Sequence, residues 1–182
     1  MQVAEISRGL WRWTGWRETI GAEVGCVYHE GVDGVVLIDP LVPPEDDARF
    51  WEALDFDVAR AGRQGVHVLT TVARHARSTQ EIVARYDGRL WSAGILPNGI
   101  AAFDSGVAGE VVFWLPDHRT LVSGDVLVGR DGGLAVTGDP VRRALDELAA
   151  LPVERILVSH GEPVLERGGD ALRAALSPRP AP

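Results

Sequence analysis

A mixed α/β fold, with helices packed outside a mixed sheet arrangement, is predicted by three features of this 182-residue chain. Strand-like runs come first as a meander, strands then alternate with helices, and a hairpin, a helix and a last strand close the chain.

Residues 10–13, 24–29 and 35–39 read as successive strands, the last two joined by a turn at Val32-Asp33-Gly34. Pro43 and Pro44 followed by Glu45, Asp46 and Asp47 start a helix, in which Ala48, Trp51 and Leu54 recur at helical spacing. Residues 65–71 form a β-branched run suited to a buried strand, and Ser78-Thr79-Gln80-Glu81 is a capping box opening a helix through Tyr86. Residues 90–92 give a short strand, and 97–109 a glycine-bearing loop. Residues 110–114 and 120–123 pair as a hairpin around Pro116-Asp117-His118. Asp139-Pro140 caps a helix with Val141, Leu145 and Leu148 on one side, residues 155–158 make a last strand, and 169–176 a last helix. The expectation is one domain over residues 1–176 and a frayed tail over 177–182.

Hydrophobic residues at 46% and charged residues at 24% are a globular balance. No apolar run approaches the roughly 18 residues of a membrane span, and Met1-Gln2-Val3-Ala4-Glu5 lacks a secretory pattern, so a cytoplasmic protein with no membrane partner is expected. A net charge of −8 disfavours nucleic acid as a partner. Every basic residue is arginine, which excludes a lysine nucleophile. Cys26, the one cysteine, cannot form an internal disulfide and reads as a small buried hydrophobe. A homo-oligomer is compatible with the sequence, which does not specify one.

Three segments carry the chemistry: Leu69-Thr70-Thr71-Val72-Ala73-Arg74-His75-Ala76-Arg77-Ser78, then Ser123-Gly124-Asp125-Val126-Leu127, then Ser159-His160-Gly161-Glu162-Pro163. In order, spacing and flanks they resemble landmarks of the metallo-β-lactamase superfamily, over roughly residues 10–164. The resemblance implies an αββα sandwich of two mixed sheets with outer helices, and a site at one edge of the paired sheets. That family activates water between zinc ions, lowering its pKa toward roughly 7.

The family holds one metal with the two histidines of H-x-H and a third from a later loop. It holds the other with a D-H pair and a final histidine, and an aspartate bridges both. On this chain the H-x-H positions fall on Val72 and Arg74, the D-H positions on Ala76 and Arg77, and the later histidine on Gly106. The bridging aspartate is matched by Asp125 and the final histidine by His160, while Asp39 matches an aspartate the family uses for structure. The H-x-H-x-D-H signature is therefore degenerate. His75, one position from two expected ligands, reads either as a loop histidine or, after a one-residue slip, as a ligand. His29, His67 and His118 read as structural or exposed.

Arg74 and Arg77 occupy former ligand positions. A guanidinium there would pair with Asp125 and replace a lost cation without its Lewis acidity, or else both point to solvent. Trp11, Trp13 and Trp16 cluster where the family's first hairpin overhangs the site, forming either a ligand wall or a packed strand face. Asp104 and Ser105 offer oxygen donors or make a turn. A relay from Ser123 or Ser159 through His160 and Asp125 lacks a G-x-S-x-G elbow.

The expected protein lacks the ordinary dinuclear zinc site, carries no cofactor, and binds a small organic molecule or works without metal, as a pseudo-hydrolase. Its cleft is expected from Arg74, Arg77, Asp125, His160, Trp11, Trp13 and Asp104. The alternatives are a hydrolase with one weakly bound zinc on Asp125, His160 and His75, and an interaction protein with a vestigial cleft.

Overall fold

The computed structural model describes residues 1–62, 65–91, 95–138, 140 and 142–177. A six-stranded sheet runs in the order β1 (Gln2–Ser7), β2 (Leu10–Arg17), β3 (Ala22–Gly31), β4 (Gly34–Ile38), β5 (Val66–Leu69), β6 (Arg89–Leu90). The first four strands are antiparallel neighbours, and β4, β5 and β6 are parallel. α1 (Asp47–Ala61) and α2 (Thr79–Tyr86) make the crossovers. A second sheet contains β7 (Ala101–Asp104), β8 (Val111–Leu115), β9 (Thr120–Ser123) and, after a hairpin of β10 (Leu127–Arg130) and β11 (Gly133–Val136) and helix α3 (Arg142–Ala149), β12 (Arg155–Val158) parallel to β9. Helix α4 (Gly168–Leu176) follows.

Side-chain alternation sorts these strands into layers. In β4, Val36 and Ile38 join Leu10, Val27 and Leu69 against Phe113, Leu115, Val122 and Leu157 of the second sheet, forming the core between sheets. Val35 and Leu37 point the other way, with Cys26, Tyr28 and Val68, onto Phe50 and Leu54 of α1 and Ile82 of α2. In β8, Val112 and Trp114 face Leu145, Leu148, Leu172 and Leu176 of the last two helices. Every residue of β4 is buried because both its faces are covered, and a one-residue slip would exchange two cores. The four layers are the expected αββα sandwich.

Several elements differ from the sequence reading. β1 is an added edge strand whose side chains are largely exposed, so it carries little hydrophobic signal. Part of the predicted 97–109 loop is strand β7. β10 and β11 turn through Asp131 and Gly132, both left-handed, a two-residue hairpin that a DG pair signals. Ser78 does not cap α2 with its side chain; its Oγ accepts the Val42 amide at 2.9 Å and ties the α1 entry to the α2 entry. The expected strand residue Ser92, the cap at Asp139 with Val141, and 178–182 of the tail lie outside the described residues.

No helix among the described residues is long and apolar enough to cross a membrane. Cys26 is buried, and burial pushes its thiol up to about 11.

A buried histidine against a half-buried one gives the fold a pH dependence. His29 Nδ1 lies 3.2 Å from His118 Nε2, and His118 Nδ1 lies 2.8 Å from Ser7 Oγ, a contact that fastens β1 to the second sheet. Burial, then the charge of His118, lowers the His29 pKa to about 4. The unfolded chain binds that proton near 6.5, so this stability is complete above pH 6.5 and is lost as pH falls toward 4. The window is worth roughly 3 kcal/mol. Urea midpoints at pH 7 and pH 4.5 are expected to differ less in His29→Gln than in wild type, and identical pH slopes would remove the assignment.

Candidate metal centre

Asp39, Thr71, Asp125 and His160 follow the C-terminal ends of β4, β5, β9 and β12, so two parallel strand pairs, one from each sheet, deliver their next residues to one edge of the sandwich. Asp39, 2% exposed and left-handed, is the hub. Its Oδ1 accepts the Thr71 amide at 2.7 Å, and its Oδ2 accepts Thr71 Oγ1 at 2.5 Å and Ser159 Oγ at 3.3 Å. The same Oδ2 lies 2.9 Å from His75 Nδ1.

That contact orients His75. The residue ends a single 3-10 turn, Ala73–His75, whose three-residue period places His75 inward below Val72 and leaves Arg74 outward. His75 is 2% exposed, its Nε2 lies 3.2 Å from Asp125 Oδ1, and His160 Nε2 reaches the same oxygen at 3.0 Å. These donor atoms all lie within 4.8 Å of one another. Both imidazole nitrogens thus lie within ion-pair distance of one carboxylate oxygen, an arrangement that could hold a cation.

Supporting residues fix the other two donors. Glu110, 3% exposed, accepts the Asp125 and Val126 amides at 2.7 Å each through Oε1. Thr137 Oγ1 donates to the Asp125 carbonyl. His160 is held by its backbone: its carbonyl accepts the Gly129 amide at 2.9 Å, where β10 packs against the Gly161 turn so closely that a Cβ at Gly129 would lie 2.0 Å from the Glu162 carbonyl oxygen.

Charge at the centre is lopsided. His160, then His75, with Arg74 adding to them, hold the Asp125 carboxyl well below the usual carboxylate range. Burial alone would lower the His75 pKa, but Asp125 and Asp39 outweigh it and leave it raised. With Nδ1 against Asp39, Nε2 is the nitrogen that faces Asp125 and would ligate a cation.

The two arginines separate. Arg74 forms an ion pair with Asp125 Oδ2 and lies 4.0 Å from Glu110 Oε2, with its side chain 58% exposed. Arg77 does not reach Asp125. It turns inward and donates to the carbonyls of Asp39 at 2.8 Å and Gly25 at 3.2 Å, bracing β3 against β4. Trp11 and Trp13 are also away from Asp125, because their alternation puts them on the outer face of the first sheet against α1. Trp16 is half-exposed.

Asp104 Oδ1 accepts the Gly106 amide at 2.8 Å, and Ser105 Oγ accepts the Val107 amide at 3.1 Å, so both make turns. Asp104 also lines a cavity of about 740 Å³ with Val72, Trp91, Phe103 and Glu110, behind the His75 turn. Ser159 faces Asp39 and His75. No hydrogen bond joins it to His160 among the described residues, which removes the geometry of the relay. His67 lies 3.3 Å from the Asp33 carbonyl, away from the centre.

Sequence reasoning missed Glu110, since an acidic residue opening a strand after glycine reads as exposed. The three donors fit one divalent ion of the zinc type, as a His/His/carboxylate set with an open position. Val72, Ala76 and Gly106 offer no side-chain donor for a second ion, and Arg74 and Arg77 are cationic.

No family model matches the chain, and no curated protein matches it. Solved structures do. The DIM-1 metallo-β-lactamase aligns over 96% of this chain and 97% of its own, with a TM-score of 0.63 at 14% identity. The metallo-β-lactamase from Pontibacter korlensis covers 96% and 98%, with a TM-score of 0.59 at 20% identity. That from Erythrobacter litoralis covers 96% and 89%, with a TM-score of 0.63 at 17% identity. Matched along nearly its whole length, the chain has the metallo-β-lactamase fold.

Proposed function

We propose that the chain binds one divalent transition-metal ion on His75, Asp125 and His160 and acts as a hydrolase on a small organic substrate. The observation that carries this reading is the convergence of His75 Nε2 and His160 Nε2 on Asp125 Oδ1, three donor atoms within 4.8 Å of one another. Asp39 supports His75 as an outer carboxylate supports a ligating imidazole, fixing the tautomer that leaves Nε2 bare. A divalent ion held there supplies Lewis acidity, polarising a carbonyl or phosphoryl oxygen. Arg74 pairs with Asp125 and offers its exposed N–H groups to an anionic substituent of the substrate. The 740 Å³ cavity behind the turn suits an apolar substituent.

A second reading, a metal-independent small-molecule binder, is favoured by the Arg74 to Asp125 ion pair, which sets a permanent cation beside the carboxylate. Zinc content separates the two. Protein expressed in zinc-supplemented medium and dialysed is expected to retain one zinc per chain, and Asp125→Ala and His160→Ala to retain none. Cobalt substitution should give the absorption of a low-coordinate site, lost in the same variants. Wild type without retained metal would leave the metal-free reading.

A further inference from the structure

Arg74 stands between two carboxylates, and only one of them belongs to the donor set. Its guanidinium pairs with Asp125 Oδ2, and its Nη2 lies 4.0 Å from Glu110 Oε2. Asp125 turns its other oxygen, Oδ1, to His75 Nε2 at 3.2 Å and His160 Nε2 at 3.0 Å. Glu110 accepts the Asp125 and Val126 amides through Oε1, and its Oε2 is the oxygen that faces Arg74. One arginine is therefore in reach of a metal-ligating carboxylate and of a carboxylate that ligates nothing.

The side chain is free to move between them on a fixed base. It is 58% exposed, so no packing holds it against Asp125. The backbone beneath it is pinned, because the Arg74 carbonyl accepts Arg17 Nη1 at 3.2 Å and the residue lies within the 3-10 turn that ends at His75. A guanidinium cannot shed its proton, so its charge opposes any cation that approaches Asp125. A carboxylate shared with an arginine is also a weaker donor to an ion. Turning to Glu110 relieves both effects, since the arginine stays paired and Asp125 is released to the ion.

Resting on the proposed site at His75, Asp125 and His160, we infer that Arg74 is a latch on it. The side chain closes on Asp125 while the donors hold no ion and turns to Glu110 when a divalent ion binds. The latch sets how tightly the ion is held, and Glu110 is the residue that receives it. A unit charge a few ångströms from a dication in a water-like dielectric changes affinity by roughly tenfold.

Zinc affinity, read by competition with a chromogenic chelator, tests the latch. Arg74→Gln is expected to bind zinc about tenfold more tightly than wild type, and Arg74→Lys, which keeps the charge, to stay within about threefold of it. Glu110→Gln keeps an oxygen for the two amides but removes the charge that receives Arg74, so zinc should bind more weakly. The same change should matter less in an Arg74→Gln background, a coupling that a purely structural Glu110 would not produce. Thermal midpoints of the metal-free variants separate these effects from loss of fold. In wild type, the Arg74 Nε–H resonance, identified by its absence from Arg74→Lys, should shift when zinc is added. Equal affinity in wild type and Arg74→Gln, or Arg74→Lys binding as tightly as Arg74→Gln, overturns the latch and leaves the metal site standing. Zinc bound by none of the proteins overturns both.

Discussion

Replacing Asp39 by alanine is expected to lower stability by about 3–5 kcal/mol, because it removes the acceptor of a buried network and leaves His75 against an empty space. The Thr71 amide, the Thr71 and Ser159 hydroxyls and the His75 ring all converge on that carboxylate. Alanine would also have to hold the left-handed backbone of Asp39, at φ 51°, which a short polar side chain tolerates better. Asp39→Asn keeps the shape and one acceptor and should recover part of the loss. Urea denaturation of the three proteins tests this: an alanine variant within about 1 kcal/mol of wild type would mean that the hub is dispensable.

The second large effect is expected from Gly129→Ala, a single methyl remote from any donor atom. Its Cβ would fall 2.0 Å from the Glu162 carbonyl oxygen and 2.5 Å from the Glu162 nitrogen, both backbone atoms that have no rotamer to escape into. The hairpin β10–β11 must then lift from the Gly161 turn, breaking the bond from the Gly129 amide to the His160 carbonyl. A cost of about 3 kcal/mol or more follows from overpacking of this kind. Under the metal reading the displaced His160 should also weaken zinc binding. Thermal midpoint and zinc affinity are to be measured together, and an unchanged midpoint would show that the turn yields without strain.

How far the sequence could be read depended on the kind of information each residue carries. Short continuous apolar runs such as Val35-Val36-Leu37-Ile38 and Val112-Phe113-Trp114-Leu115 read as strands covered on both faces, while the αββα arrangement was legible only through the family resemblance. β1 was not, since an edge strand with an exposed face has no such pattern. The hairpin at Asp131-Gly132 carried a readable turn, but its strands hold too few large apolar residues to draw attention.

At the site, Asp125 and His160 could be placed from short motifs, and Arg74 could be matched to Asp125 by charge. His75 could not be resolved, because a 3-10 turn rather than linear spacing decides which residue of the loop turns inward. The tryptophans stayed ambiguous for a related reason: nearness along a hairpin does not say which side of a sheet a ring occupies, and pleat parity made Trp11 and Trp13 the packed strand face against α1 rather than a wall of the cleft.

Arg77 ties the loop it sits on to the strand pair beneath it. In the dinuclear pattern its position holds an imidazole facing the metals, whereas here the guanidinium has turned inward to bond the carbonyls of Gly25 and Asp39. A histidine at position 77, with a shorter side chain and fewer donors, would strip those carbonyls of their partner and loosen β3 from β4, so the arginine acts on the sheet rather than on the donors beside it.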